Sequence, residues 1–185
     1  MTQQTGLPPS ELQVAQYGFA FFRFILSKNR ALAKFERNTK KILTRVDPII
    51  WEALNQQVKI PRVPGIEEVS TNWSIAMTLR HLNDVNSGML GVIQTLANSS
   101  TGLAEVKIAD YKPDPVQPET IISDFKDMSE KFVSEVRRLS SLGSTPKHPH
   151  PWFGPLNAHG WLCLAALHQG IHAFQIKMIE KGLSS

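Results

Sequence analysis

A single cysteine, Cys163, is all that this chain of 185 residues offers for cross-linking. An intrachain disulfide is therefore excluded, and a reducing compartment suits the composition. Long apolar runs are missing as well. The most apolar early stretch, YGFAFFRFIL at 17–26, contains an arginine and is about ten residues long, against roughly 20 needed to cross a bilayer. The opening MTQQTGLPPS lacks the basic residues of a cleavable leader, and SKNRALAKF follows the apolar run where a small-residue cleavage site would stand. A cytoplasmic protein with no membrane partner is expected. Charge of one sign is scarce too: 20 Lys and Arg face 16 Asp and Glu, a formal net charge of +4. The densest basic stretch, RNTKKILTR at 37–45, spreads its charge around several faces of a helix, as a solvated surface does. No basic stripe is left to follow a phosphate backbone, so nucleic acid is not an expected partner.

No segment alternates apolar and polar residues convincingly, and nothing reads as a strand. Nor does any internal repeat or low-complexity tract appear. With 42% hydrophobic residues, the chain suits one domain over residues 1–185 with a sizeable core.

Proline and glycine gather in clusters, GLPPS, IPRVPG, YKPDPVQP and TPKHPHPWFGP, with helical periodicity between them. A first helix begins at Ser10-Glu11 and carries Tyr17, Phe19, Phe22 and Ile25; SKN at 27–29 breaks it. A second carries Leu32, Phe35, Ile42 and Val46 and stops at Asp47-Pro48, with PIIWEAL restarting on Pro48 at a first-turn position. A third starts near Asn72 or Ser74 and reaches Asn98. The next opens on Pro118 and Glu119, carries Phe125, Phe132 and Val136, and stops at Gly143. The last takes Asn157 as N-cap and runs to Lys181, with Gly182 as its stop. The fold class is all-α: a four-helix bundle with an additional N-terminal helix, residues 1–28 as an extension and 29–185 as the bundle.

Chemistry concentrates in the histidines. His168 and His172 lie four apart in LHQGIHAFQI. Four helical residues advance about 6 Å and return within about 40° of the same direction, so both rings leave one side of the helix. The spacing suits two ligands to one metal, but Gln169 stands where the H-E-x-x-H peptidase motif has its glutamate, which removes that activity. By itself the pair reads first as two satisfied core or surface histidines. His81, in NWSIAMTLRHLNDV, supplies a third imidazole on an apolar helix face with Met77, Val85 and Gly88. Three neutral imidazoles suit a divalent transition metal, Zn, Ni or Fe, and leave a position open for water or substrate. Cys163 lies in GWLCLAAL, where a thiol is normally inert packing; His159 and His168, about a turn away, keep a thiol role open.

NWSIAMTLRHL resembles the Trp-Ser start and His-Leu pair of the DinB-like (damage-inducible) superfamily. LHQGIHAFQI resembles its last-helix pattern, and HPHPWFGPLNAHGWL resembles the His-Pro-aromatic-aromatic-Gly entry to that helix in one branch. Together these motifs run in order over residues 73–179. The resemblance implies an up-and-down-like four-helix bundle, often dimeric, with a metal held by His81, His168 and His172. Some members of the superfamily carry out transfer or isomerisation with low-molecular-weight thiols such as mycothiol or bacillithiol. The chain departs from the pattern in its N-terminal helix, which the pattern does not require, and in having Ile171 and Ala173 beside His172, where a further histidine is frequent.

Gln175 and Asp84, each about one turn from a ligand, are candidates to accept the outer N–H of His172 and His81. Trp152 reads as a lid over the open position or as a staple for the loop, Phe153 as the staple, and His150 as a proton-transfer group near the metal. Two functions follow. One is a metal-dependent enzyme, a thiol-dependent transferase or a hydrolase, acting on a small molecule. The other is a non-catalytic metal-binding module that dimerises through helix faces. A homodimer is expected in either case. No carboxylate within a turn of His168 or His172 offers a general base.

Overall fold

The computed structural model describes residues 8–143 and 145–183. Six α-helices account for most of them: α1 (Pro9–Ile25), α2 (Lys28–Val46), α3 (Trp51–Leu54), α4 (Ile75–Ala97), α5 (Ile121–Arg138) and α6 (Ala158–Leu183). Short 3₁₀ turns lie at Glu68–Asn72 and Ile108–Tyr111.

Side chains in the sequence set several of the helix starts. Ser27 Oγ accepts from Arg30 N, Ser74 Oγ from Met77 N at 3.0 Å, and Asn157 Oδ1 from Gly160 N at 2.9 Å. Each satisfies an amide that the helix itself leaves unpaired.

The direction of each bundle helix follows from which residues meet. One half of the core gathers Leu32 and Phe35 from the start of α2 with Trp161 and Ala165 from the start of α6. The ends of α4 (Ile93, Leu96) and α5 (Phe132, Val136) join them there. The other half gathers Ile42, Val46, Ile176 and Ile179 from the ends of α2 and α6, with Ile75, Leu79, Ile121 and Phe125 from the starts of α4 and α5. Hence α2 and α6 run one way, and α4 and α5 the other. In the ring, α2 and α4 each pack on both α5 and α6. The order along the chain is up-down-down-up, which corrects the up-and-down-like arrangement expected. Because α4 and α5 are parallel, the connection over 98–120 must travel back along the bundle. Helix α1 docks on α6.

Several expected boundaries shift, each for a local reason. Pro48 lies in the turn after α2 rather than in a first helical turn, and the helix restarts only at Trp51. Pro118 and Glu119 precede α5, whose first residue is Ile121; the Pro118 carbonyl accepts from Ile121 N in a turn. Helix α5 ends at Arg138, five residues short of Gly143, and the chain then extends to bury Leu142, whose carbonyl accepts from His159 N. Helix α6 continues through Gly182 to Leu183. A Cβ at Gly182 would lie 2.4 Å from Val58 Cγ1, so the glycine permits close packing instead of ending the helix. Two strands are also present, β1 (His148–His150) and β2 (Gly154–Leu156), paired antiparallel with His150 opposite Gly154. Gly154, at φ +66°, allows the turn between them. No described helix is long and apolar enough to cross a membrane.

Candidate metal centre

His81 comes from the second turn of α4, and His168 and His172 from successive turns of α6. The antiparallel packing of these helices brings the three together. His168 Nε2 lies 3.2 Å from His81 Nε2 and 3.0 Å from His172 Nε2. Ligand atoms of all three lie within 4.8 Å of one another.

The outer nitrogens decide what the inner ones present. His81 Nδ1 is 2.8 Å from the Tyr111 carbonyl, which can only accept, so the proton is on Nδ1. His172 Nδ1 is 2.6 Å from Gln175 Oε1. The amide of Gln175 is oriented by its own donation from Nε2 to the Ser70 carbonyl at 2.8 Å. With both Nδ1 protons committed, the Nε2 atoms of His81 and His172 turn lone pairs toward His168. A proton on His168 Nε2 can satisfy only one of them fully, whereas a cation between the three satisfies all. A metal–nitrogen bond of about 2.0–2.1 Å gives a tetrahedral edge of about 3.3 Å, close to the two measured spacings. The donor set therefore fits a divalent transition metal, which these three residues could hold. His168 Nδ1 is buried and makes no hydrogen bond among the described residues.

Burial keeps the rings neutral, the state a ligand must have. Desolvation holds His81 below its ordinary value, against the Tyr111 carbonyl and the Asp84 charge. His172 falls to about 3, through burial and then repulsion from His81, with Gln175 opposing. His168 is pushed well below the ordinary range by burial and then by His172, His81 and His150. Trp73 backs the group, its ring centroid 5.1 Å from that of His81 and parallel to His172 at 6.4 Å.

The triad lines a cavity of about 470 Å³ that also touches α1, the loop around Gly65 and the β1–β2 hairpin. Trp152, Phe153 and His150 all line it. Phe153 packs on Phe19 of α1, centroids 4.6 Å apart, and the Trp152 carbonyl accepts from Gln16 Nε2. The hairpin is thus pinned to α1 beside the triad. His150 Nδ1 accepts from Trp152 N at 3.1 Å, and burial lowers its pKa to about 4.

Gln175 stands where the sequence placed it. Asp84 does not: it pairs with Arg80 at 2.8 Å, and the outer nitrogen of His81 goes to the main chain instead. The Tyr111 and Ser70 carbonyls and the backing ring of Trp73 are additions that the sequence did not point to as parts of the site. Cys163 is buried, its thiol pushed up to about 12 by desolvation, which leaves no reactive thiolate near neutral pH.

A sequence model of the DinB superfamily matches residues 6–176. The chain belongs to the DinB superfamily. The match begins ahead of α1, so this helix lies within the range matched to the DinB superfamily. The crystal structure of TT2238, a four-helix bundle protein, is 20% identical, with a TM-score of 0.59 over 82% of this chain and 98% of that one. At that identity the likeness shows the fold alone. No curated protein matches the chain at a significant level.

Proposed function

We propose that this DinB-superfamily chain is a metal-dependent enzyme acting on a small molecule, its Zn, Ni or Fe ion held by His81, His168 and His172. The observation that carries this reading is the convergence of three neutral imidazoles on one point at the wall of a cavity. When bound, such a metal supplies Lewis acidity, which activates a water or a thiol for attack. The chain's own residues do the rest. Tyr111 and Gln175 orient two of the rings, and Trp152 and Phe153 shield the cavity from solvent. His150, outside the triad, is a histidine at the cavity wall placed to exchange a proton there. Among the described residues, no carboxylate is hydrogen-bonded to the triad. A low-molecular-weight thiol that brings its own nucleophile therefore suits the site as co-substrate, and hydrolysis is the other reaction class that fits.

The experiment is metal analysis of the chain purified without a histidine tag, beside His168→Ala, followed by a screen of thiol co-substrates on the loaded protein. About one metal per chain, lost in the variant, is the expected result; unchanged metal in the variant overturns the site.

A second reading, a non-catalytic metal-binding module that forms a homodimer, is favoured by the outer face of α1. Val14, Tyr17, Phe21 and Phe24 are exposed there, Phe24 by 87%. They follow the 3-4-3 spacing of a helix-pairing seam. A metal-loaded, dimeric protein that turns over no thiol or ester substrate would favour it.

A further inference from the structure

We propose that the molecule handled at the triad has an uncharged, largely apolar body, with a single polar end group that reaches the three histidines. The destination of that end group rests on the metal reading above; the ligand class rests on the walls. Val85 and Met89 from α4, Leu164 and Leu167 from α6 and Ala15 from α1 make those walls. A volume of about 470 Å³ lies within the usual range for small-molecule sites.

The distribution of charge sets the ligand class. Three charged residues, Glu11, Glu67 and Lys112, line the cavity. The Glu11 carboxylate is engaged by Arg62 and by the Gly65 amide. Lys112 is exposed, so an ionic group on the body of the ligand, away from the triad, would meet one solvated lysine against two carboxylates. An ionic group buried without a partner is costly. The triad puts three imidazole rings together on one wall of the cavity, with Tyr111 and His150 as further polar lining. Such a chamber admits an alkyl or aryl body and directs one polar end to the imidazoles. Entry is from beside α1, where Val14 and Gly18 line the cavity and are exposed; a Cβ at Gly18 would meet nothing within 4 Å.

Val85 stands one turn after His81, half-buried and facing the cavity. Its size therefore sets how long a body fits behind the polar end. The test uses the protein as purified, with N-phenyl-1-naphthylamine as a neutral fluorescent probe. Straight-chain 1-alcohols and α,ω-diols of matched length compete at pH 8. One probe should bind per chain, and 1-decanol should displace it at least tenfold more tightly than 1,10-decanediol. Val85→Phe should shift the preferred alcohol to a shorter chain, and Val85→Ala to a longer one, with unchanged circular dichroism. 1,10-Decanediol equal to or better than 1-decanol, or no probe binding to the folded protein, overturns the proposal. So does a chain-length preference that ignores Val85. Metal content is measured on the same samples. Probe bound without metal supports the ligand class and counts against the metal reading; metal present without probe binding sinks this inference alone.

Discussion

The main-chain carbonyl of Tyr111 lies 2.8 Å from His81 Nδ1 and fixes which nitrogen of that ring faces its neighbours. The contact follows from topology. With α4 and α5 parallel, the connection must return along the bundle, and its 3₁₀ turn passes α4 at the level of His81. Gly88 permits the approach: a Cβ there would lie 2.7 Å from the Tyr111 hydroxyl. Trp51 Nε1 and Asn55 Nδ2 donate to the Gln117 carbonyl and hold the far end of the same connection. A candidate ligand on one helix is thus oriented by a crossover that the bundle's chain order makes unavoidable.

Gln175 performs the corresponding service for His172, and its removal should be felt in metal affinity rather than in fold. Gln175→Leu leaves the His172 N–H without its acceptor and the Ser70 carbonyl without its donor. Losing such an outer partner typically weakens metal binding about 10–100-fold. We expect that loss in competition with a chelator of known affinity, with helical content preserved. Unaltered affinity would show that Gln175 does not orient the ligand.

The core faces and the triad were legible because a 3.6-residue period reports which side of a helix is inward. Two histidines four apart on that side, with a third at an inward position of another helix, define a cluster once those helices pack. Helix ends were less legible. Gly143 and Gly182 look like stops, yet one is overruled by the burial of Leu142 and the other is needed for Val58. The strands over 148–150 and 154–156 are too short for an alternating pattern to register. The carbonyls of Tyr111 and Ser70 left no trace, since a main-chain acceptor has no residue identity and depends on the path of the chain. Asp84, whose spacing allowed either a role beside His81 or an ordinary place at the helix surface, takes the second, with a nearer partner in Arg80.

Metal-free protein should lose stability as the pH falls below about 6.5. The buried histidines have folded pKa values below the ordinary one, so the unfolded chain takes up protons first. Stability present above pH 6.5 is then lost toward the folded values, about 4 for His150 and about 3 for His172. For His172 alone the loss at pH 5 is about 2 kcal/mol, from 1.36 kcal/mol per pKa unit. Urea midpoints measured from pH 8 to pH 4.5 check this. A midpoint that does not move between pH 7 and pH 5 contradicts neutral, buried rings.

Glu11 anchors α1 over the cavity. Its carboxylate takes the Arg62 guanidinium and the Gly65 amide at 3.0 Å, and the Arg62 hydrogen bond holds its pKa below the usual carboxylate range. Because both partners of the ion pair are partly exposed, Glu11→Gln should cost less than about 1 kcal/mol of global stability. Its effect should be local, as faster hydrogen exchange of α1 amides while α4 and α6 stay protected. Unchanged exchange in α1 would mean that the packing of Phe19 and the Gln16–Trp152 hydrogen bond hold the helix without the ion pair.

Gln169 occupies the place of the peptidase glutamate, and its side chain shows why no base could act from there. It is fully buried and points away from the triad: Nε2 donates to Thr39 Oγ1 at 2.9 Å, and Oε1 accepts from Asn86 Nδ2 at 3.2 Å. The residue therefore ties α6 to α2 and α4 across the core. Gln169→Leu keeps the volume but strands the Thr39 hydroxyl and the Asn86 amide, whose Oδ1 already makes no hydrogen bond among the described residues. Each stranded group costs about 1–3 kcal/mol, so we expect about 2–6 kcal/mol of destabilisation by urea unfolding. Metal per folded chain should be unchanged, because the leucine touches none of the three imidazoles. Gln169→Glu should destabilise further, by burying a carboxylate beside an oxygen acceptor, and should gain no peptidase activity. A Leu variant as stable as the native chain would show that the network contributes nothing to the bundle. A loss of metal in that variant while it stays folded would place Gln169 in the centre after all.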